Sequence, residues 1–221
     1  QNLFALKPGS RTEAFVSFVD FGPSVMNLAG VEIPDEMDGS PFVGKNITEK
    51  QLKARTRTFG YADRFDEKYD MLRSVRIGDY KYIRSFQTFN FDGLMNNYRY
   101  RQLAYKEWLE LFNEGKLNKT QSQFFRKREA EMLLNLSDDP HETKNLAGDP
   151  AYASILNEAR IELTNWLKEM PDLAFYPEYF LVENAFDNPT QFGKDHKQDI
   201  NQLIDIANLE VEDFEKVKVK L

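Results

Sequence analysis

The chain has 221 residues, a formal net charge of −7 and no cysteine, with 41% apolar and 29% charged residues. That composition is ordinary for a folded chain, and the lack of cysteine excludes a disulfide scaffold, thiolate metal sites and a cysteine nucleophile. No apolar run reaches the ~18 residues of a membrane-spanning helix, and an acidic chain is a poor partner for nucleic acid. With 18 Phe and 10 Tyr, the core and any groove should be rich in aromatic surface.

The charge is uneven. Between Lys53 and Arg101 eleven basic residues face six acidic ones. Such a stretch marks either a surface that meets anions or a strand pair whose charges face water. Residues Gln1 to Gly9 have no initiator Met and no signal-peptide layout, so the chain reads as one entered partway through.

In chain order, Val16-Ser17-Phe18-Val19 suits the end of a strand. A short helix then begins at Pro23 and stops at Gly30, with Val25, Met26, Leu28 and Ala29 as its buried side. The segment from Val31 to Asn46 reads as an extended loop. Thr56–Tyr61 and Tyr69–Ile77 are strands, and Gly78-Asp79 turns the chain into a third at Tyr80–Phe86. On that strand Tyr80, Tyr82, Arg84 and Phe86 share one face. Arg101–Phe112 is helical, with Leu103, Trp108, Leu111 and Phe112 available to one side and Gly115 as its stop. A second short helix follows over Lys119–Arg126, and Met132-Leu133-Leu134 is a buried strand.

Asp149-Pro150 opens the clearest helix. Its apolar positions include Ile155, Leu156, Ala159, Leu163 and Leu167, at the spacing of a face laid on a sheet. Asp172 to Gly193 reads as an aromatic loop. Asp199 caps a last helix with Ile200, Leu203 and Ile204 inward, and Val211, Phe214 and Val217 continue its spacing.

Three segments together resemble the C-terminal portion of the type I, formylglycine-dependent sulfatases of the alkaline-phosphatase-like superfamily. The first runs from Val16-Ser17-Phe18-Val19-Asp20-Phe21-Gly22-Pro23-Ser24 to Ala29-Gly30-Val31. It is similar to the family's strand, Val-Asp-x-x-Pro-Thr, helix and Ala-Gly passage, with Ser24 where Thr is usual. The second is Tyr69 to Arg76 with Asp79 to Arg84, which resembles the hairpin of the smaller C-terminal subdomain. The third, Glu131-Met132-Leu133-Leu134-Asn135-Leu136 through Asp139-Pro140-His141-Glu142 to Asn145-Leu146, looks like the family's Asp-Pro-x-Glu-x-x-Asn-Leu element. The likeness runs from about Lys7 to Tyr179 and is nearest to the heparan N-sulfatase-like branch.

The resemblance implies an α/β fold. Residues 1–48 would close the catalytic sheet and 49–180 would form the C-terminal subdomain, a roughly four-stranded antiparallel sheet packed by a long helix. Residues 181–221 would be a helical tail. It also implies a parent that hydrolyses sulfate esters or sulfamates on carbohydrates, in a periplasmic, secreted or lysosomal setting. No serine here begins the family's Cys/Ser-x-Pro/Ala-x-Arg pattern, so this chain should supply no catalytic residue and no metal ligand. The nucleophile and the calcium site would lie upstream, and the partners would be a sulfated carbohydrate and the rest of the catalytic domain. A phosphate or phosphonate hydrolase of the same superfamily, or a non-catalytic module binding acidic glycans or a protein, are the alternative readings.

By the resemblance, the connection Asp63-Arg64-Phe65-Asp66-Glu67 reaches toward the active-site pocket. Asp63 and Arg64 would then bind substrate, one holding a sugar hydroxyl and the other forking an anionic group. The bland reading is a surface hairpin with local ion pairs. Arg73 and Arg76 are expected to brace the sheet. Asp138-Asp139 and Asp187-Asn188 imitate metal pairs but suit turns. His141 and His196 should be solvated, and the acceptor patterns at Asn46, Asn118 and Asn135 carry no assigned role.

Overall fold

Four strands form one sheet in the order β1 (Arg57–Phe65), β2 (Lys68–Ile77), β3 (Tyr80–Ser85) and β4 (Glu131–Asn135). Gly78, at φ 55°, supplies the left-handed residue that the tight β2–β3 turn needs. β3 and β4 pair antiparallel, with Tyr82 opposite Leu133. The computed structural model describes residues 6, 7, 9–65 and 67–212. It divides into two compact units, one of Gln1–Phe59 with Arg76–Asp79 and the other of Gly60–Val75 with Tyr80–Leu221.

The first unit is organised around the carboxylate of Asp20. It accepts from the backbone N–H of Ser17 at 2.8 Å and of Ser40 at 2.9 Å, and from Arg55 Nη1 at 2.9 Å. Burial alone would raise its pKa, but these donors outweigh burial and hold it below the ordinary carboxylate range. Helix α1 (Phe21–Ala29) starts two residues ahead of Pro23 and ends at Gly30, whose φ of 71° is the left-handed cap expected there. Ser24 Oγ donates to the Asp20 carbonyl at 2.7 Å and accepts from Phe42 N–H at 3.0 Å. A hydroxyl does this work with or without the extra methyl of Thr.

Two expectations for this unit need correction. Val16 and Ser17 lie outside any strand, and a 3₁₀ turn takes Phe18–Asp20. A strand needs a continuing ladder, and the backbone pairing here among the described residues is a single bond, from Phe15 N–H to the Arg55 carbonyl at 3.1 Å. Of the supposed inner side of α1, Val25, Leu28 and Ala29 are exposed, Val25 to 62%, and Met26 is half-buried, while the buried residues of the helix are Pro23 and Ser24. A short helix α2 (Glu49–Lys53) follows, with Thr48 and Gln51 as a capping box.

The second unit holds most of the core. Leu133 and Leu134 of β4 are fully buried, as are Ile200 and Ile204. Between β3 and β4 come α3 (Asn97–Tyr100), α4 (Leu103–Asn113) and α5 (Lys119–Ser122). Trp108, Phe112, Phe124 and Phe125 pack together there with ring centroids 4.7 to 5.5 Å apart. Leu103, expected inward, is exposed because it sits in the first turn ahead of that cluster. Asp149 caps a 3₁₀ turn at Pro150–Tyr152 that leads into α6 (Ala153–Glu169), whose Leu156, Ala159, Leu163 and Leu167 are buried as their spacing predicts.

The stretch expected to be an aromatic loop contains two short helices, α7 (Glu178–Asn184) and α8 (Pro189–Asp195). Asn188 Oδ1 accepts from Gln191 N–H at 2.9 Å, and Pro189 takes the first helical position. Helix α9 (Lys197–Glu212) begins two residues before Asp199. Phe214 and Val217 lie outside the described residues, as does Asp66.

Candidate functional site

The proposed substrate residues stand in a strand, not in the connection after it. β1 continues to Phe65 because its hairpin partner β2 starts at Lys68, so Asp63 and Arg64 belong to the ladder and their side chains alternate across it. That places Asp63 toward Arg73 of β2.

Arg73 is the centre of the arrangement, with its side chain only 2% exposed. Its Nε donates to Asp172 Oδ2 at 2.6 Å and Nη2 to Asp172 Oδ1 at 3.1 Å. Nη1 donates to Asp63 Oδ1 at 2.7 Å and to the Leu72 carbonyl at 2.8 Å, and Nη2 reaches Asp63 Oδ2 at 3.2 Å. A guanidinium has five N–H donors, and these contacts occupy all of them. Burial would favour the neutral form, but Asp172 and then Asp63 outweigh it and hold Arg73 above its ordinary range. The ring of Tyr61 lies 5.9 Å from the Arg73 guanidinium carbon.

Arg64, on the other side of β1, donates through Nη1 to both carboxylate oxygens of Glu178 at the start of α7. That pair is open to water, with Arg64 56% and Glu178 61% exposed. The segment 172–178 therefore anchors the hairpin twice, through Asp172 and through Glu178. Nothing local in the sequence announces this, since the partners are 99 and 114 positions apart.

Elsewhere the titratable groups brace the fold. Arg128 holds buried Asp70 at 2.5 and 2.7 Å and reaches Asp92 at 3.1 Å. Glu131 accepts from Tyr82 Oη at 2.5 Å and from Arg160 at 2.7 and 2.5 Å. Arg76 donates to the Gly78 carbonyl at 3.0 Å, at the turn between β2 and β3. Asp139 takes the N–H groups of Thr143 at 2.6 Å and Lys144 at 2.7 Å, the turn role expected for it, and Asn188 caps α8. His196 stacks on Phe192 with centroids 4.0 Å apart, so it is more enclosed than the solvated residue expected. Among the described residues no group of three His, Cys, Asp or Glu side chains is placed to hold a metal ion. Among the same residues no helix is long and apolar enough to cross a membrane.

An ulvan-active sulfatase from Formosa agariphila is 37% identical to this chain over 189 residues, which is 84% of the chain. The chain is homologous to part of a sulfatase. A second ulvan-active sulfatase of the same organism is 26% identical over 180 residues, 76% of the chain. The chain spans about a third of the length of these curated relatives, 31% and 32%. No family model matches it. Among solved structures, BT4656 in complex with its substrate D-glucosamine-2-N,6-O-disulfate is similar over 74% of the segment and 26% of its own chain, at 19% identity and a TM-score of 0.48. BT1596, a 2-O GAG sulfatase, is similar over 70% of the segment and 25% of its own chain, at 23% identity and a TM-score of 0.41.

Proposed function

We propose that this segment is the C-terminal part of a sulfatase that hydrolyses sulfate esters or sulfamates on carbohydrates. The observation that carries the reading is the 37% identity across 84% of the chain to a sulfatase that acts on ulvan. In this reading residues 1–48 close the catalytic domain, 49–180 form the C-terminal subdomain and 181–221 are its tail.

The formylglycine nucleophile and the calcium that stabilises charge at sulfur are assigned to the remainder of the polypeptide. This segment supplies one side of the substrate pocket. Arg64 is the anion-binding residue of the pair. It releases Glu178 to take a sulfate or carboxylate, and exposed ion pairs of that kind are worth at most ~1 kcal/mol. Asp63 keeps 28% of its side chain accessible while Arg73 holds it, which suits an acceptor for one sugar hydroxyl.

The apolar surface of the first unit supports incorporation into a larger body. Phe18 is 86% exposed, and Val19, Phe21, Val25 and Val31 are each exposed to half or more. Surfaces of this kind on a soluble protein are normally covered. In this reading the rest of the catalytic domain covers them.

The test is release of inorganic sulfate by the full polypeptide from ulvan and from a panel of sulfated glycosaminoglycans. Turnover that falls several-fold in Arg64→Ala, chiefly through KM, is expected. Hydrolysis of phosphate esters without sulfate release would overturn the reading, and so would inertness toward every sulfated glycan.

A further inference from the structure

Within the second unit, α6 and α9 leave a cavity of about 660 Å³ above the sheet, with Tyr82, Arg84, Phe86 and Glu131 at its floor. Its size lies in the range of ligand pockets, ~300–1,000 Å³. The walls are unusual for two facing helices, because amides stand where lysine and glutamate are common. Asn157 and Asn165 come from α6 and Gln202 from α9.

Two of the three cations around this cavity hold carboxylates, and the third, Arg84, is buried against backbone carbonyls. Arg160 grips Glu131 through Nε and Nη2, and Asp205 pairs with Lys168 at 2.5 Å. Arg84 directs its Nη groups at the backbone carbonyls of Ser85, Ala130 and Ala207, at 2.6, 3.3 and 2.8 Å. By contrast, the side-chain amides of Asn157, Asn165 and Gln202 make no hydrogen bond among the described residues. Nη1 of Arg160 is not used in its contact with Glu131, which fixes the plane of the guanidinium and leaves that edge fixed as well. Ile161 and Ile206 give exposed apolar surface on the same lining.

An amide offers donor and acceptor together, which is what a hydroxyl requires, and the apolar patches suit the C–H faces of a sugar ring. A sulfated ligand would call for accessible positive charge, whereas Arg84 is only 2% exposed and Arg160 and Lys168 already hold carboxylates. We propose that this cavity binds uncharged carbohydrate, the unsulfated residues of a glycan, through Asn157, Asn165, Gln202 and the free edge of Arg160. The inference takes its ligand class from the carbohydrate reading above.

The experiment is calorimetric titration of the full polypeptide with ulvan oligosaccharides before and after chemical desulfation. Binding of the desulfated form should persist at about 1 M salt, where the screening length is ~3 Å. It should weaken about tenfold or more in the triple variant Asn157→Ala/Asn165→Ala/Gln202→Ala. All three positions are exposed, and an unchanged melting temperature verifies the fold. Should the triple variant melt lower, Gln202→Ala alone is titrated in its place. No binding of the desulfated form, a preference for the sulfated form that salt abolishes, or equal binding by the variant would each overturn the proposal. Sulfate release from an aryl sulfate by the wild type is measured in parallel. A failure of the catalytic reading appears in that assay, and a failure of the cavity appears only in the titration.

Discussion

Arg73 on β2 and Asp172 before α7 are joined through Nε and Oδ2 at 2.6 Å, although 99 positions separate them in the chain. With Asp63 on the adjacent strand, they make a clamp in which one buried guanidinium bridges two carboxylates. Removing the cation would leave those carboxylates facing one another with little water. Arg73→Met should therefore cost ~3 kcal/mol, the low end for a broken buried pair because Asp63 is partly exposed. Arg73→Lys should recover less than half of the loss, since three ammonium donors cannot serve five contacts. Urea unfolding at neutral pH measures both.

Tyr82 and Glu131 give an alkaline signature. Burial first, and then the Glu131 carboxylate, push the Tyr82 phenol well above its ordinary range. A group raised in the folded state contributes stability that is complete below the unfolded pKa and declines as pH rises above it. Stability should therefore fall as pH climbs above ~10. Tyr82→Phe should flatten that decline while lowering neutral-pH stability by ~1 kcal/mol. Absorbance near 295 nm across an alkaline titration should show Tyr82 ionising only with unfolding.

The acid limb should be governed by Asp70. Burial would raise its pKa, but Arg128 and Lys68 outweigh that and hold it below the ordinary range. Its contribution is thus present above the unfolded value of ~4 and lost as pH falls through the depressed one. Asp70→Asn should make acid unfolding shallower and reduce neutral-pH stability, because Arg128 then lacks its carboxylate. An equally steep acid limb in the variant would remove Asp70 from this account.

Gly39 has φ 87°, and a Cβ there would sit 2.5 Å from the Val19 carbonyl oxygen. The same turn brings Ser40 N–H to Asp20. Gly39→Ala should destabilise the first unit by ~2 kcal/mol or more, combining left-handed strain with a backbone clash. Gly30→Ala, where nothing lies within 4 Å, should cost less. Proteolysis rates in the first unit would rank the two.

The uncovered apolar face makes a further prediction. This segment by itself should bind an apolar dye such as ANS and self-associate, and Phe18→Ser/Val25→Ser should reduce both. In the full polypeptide the same substitutions should lower stability instead. A soluble, dye-silent wild-type segment would show that its surface needs no cover.

Much of this architecture follows from local chemistry. The β2–β3 hairpin was legible because Gly78 sits between two alternating runs, and α6 because Asp149-Pro150 precedes a regular apolar face. The turn at Asp139 was legible for the same kind of reason, as its carboxylate reaches N–H groups four and five positions ahead. Other features depended on what lay opposite in space. Val16–Val19 has strand composition but ends in a 3₁₀ turn at Phe18–Asp20, and Val25 has helix spacing but is 62% exposed. α7 and α8 were hidden because their aromatic residues suggest a loop until Tyr176, Phe180 and Phe192 are seen packed together. The alternation of β1 could place Asp63 and Arg64 on opposite sides, but it could not name Asp172 or Glu178 as their neighbours. Charge pairing acts over ångströms and is indifferent to separation along the chain, so only the folded backbone decided which carboxylates meet these arginines.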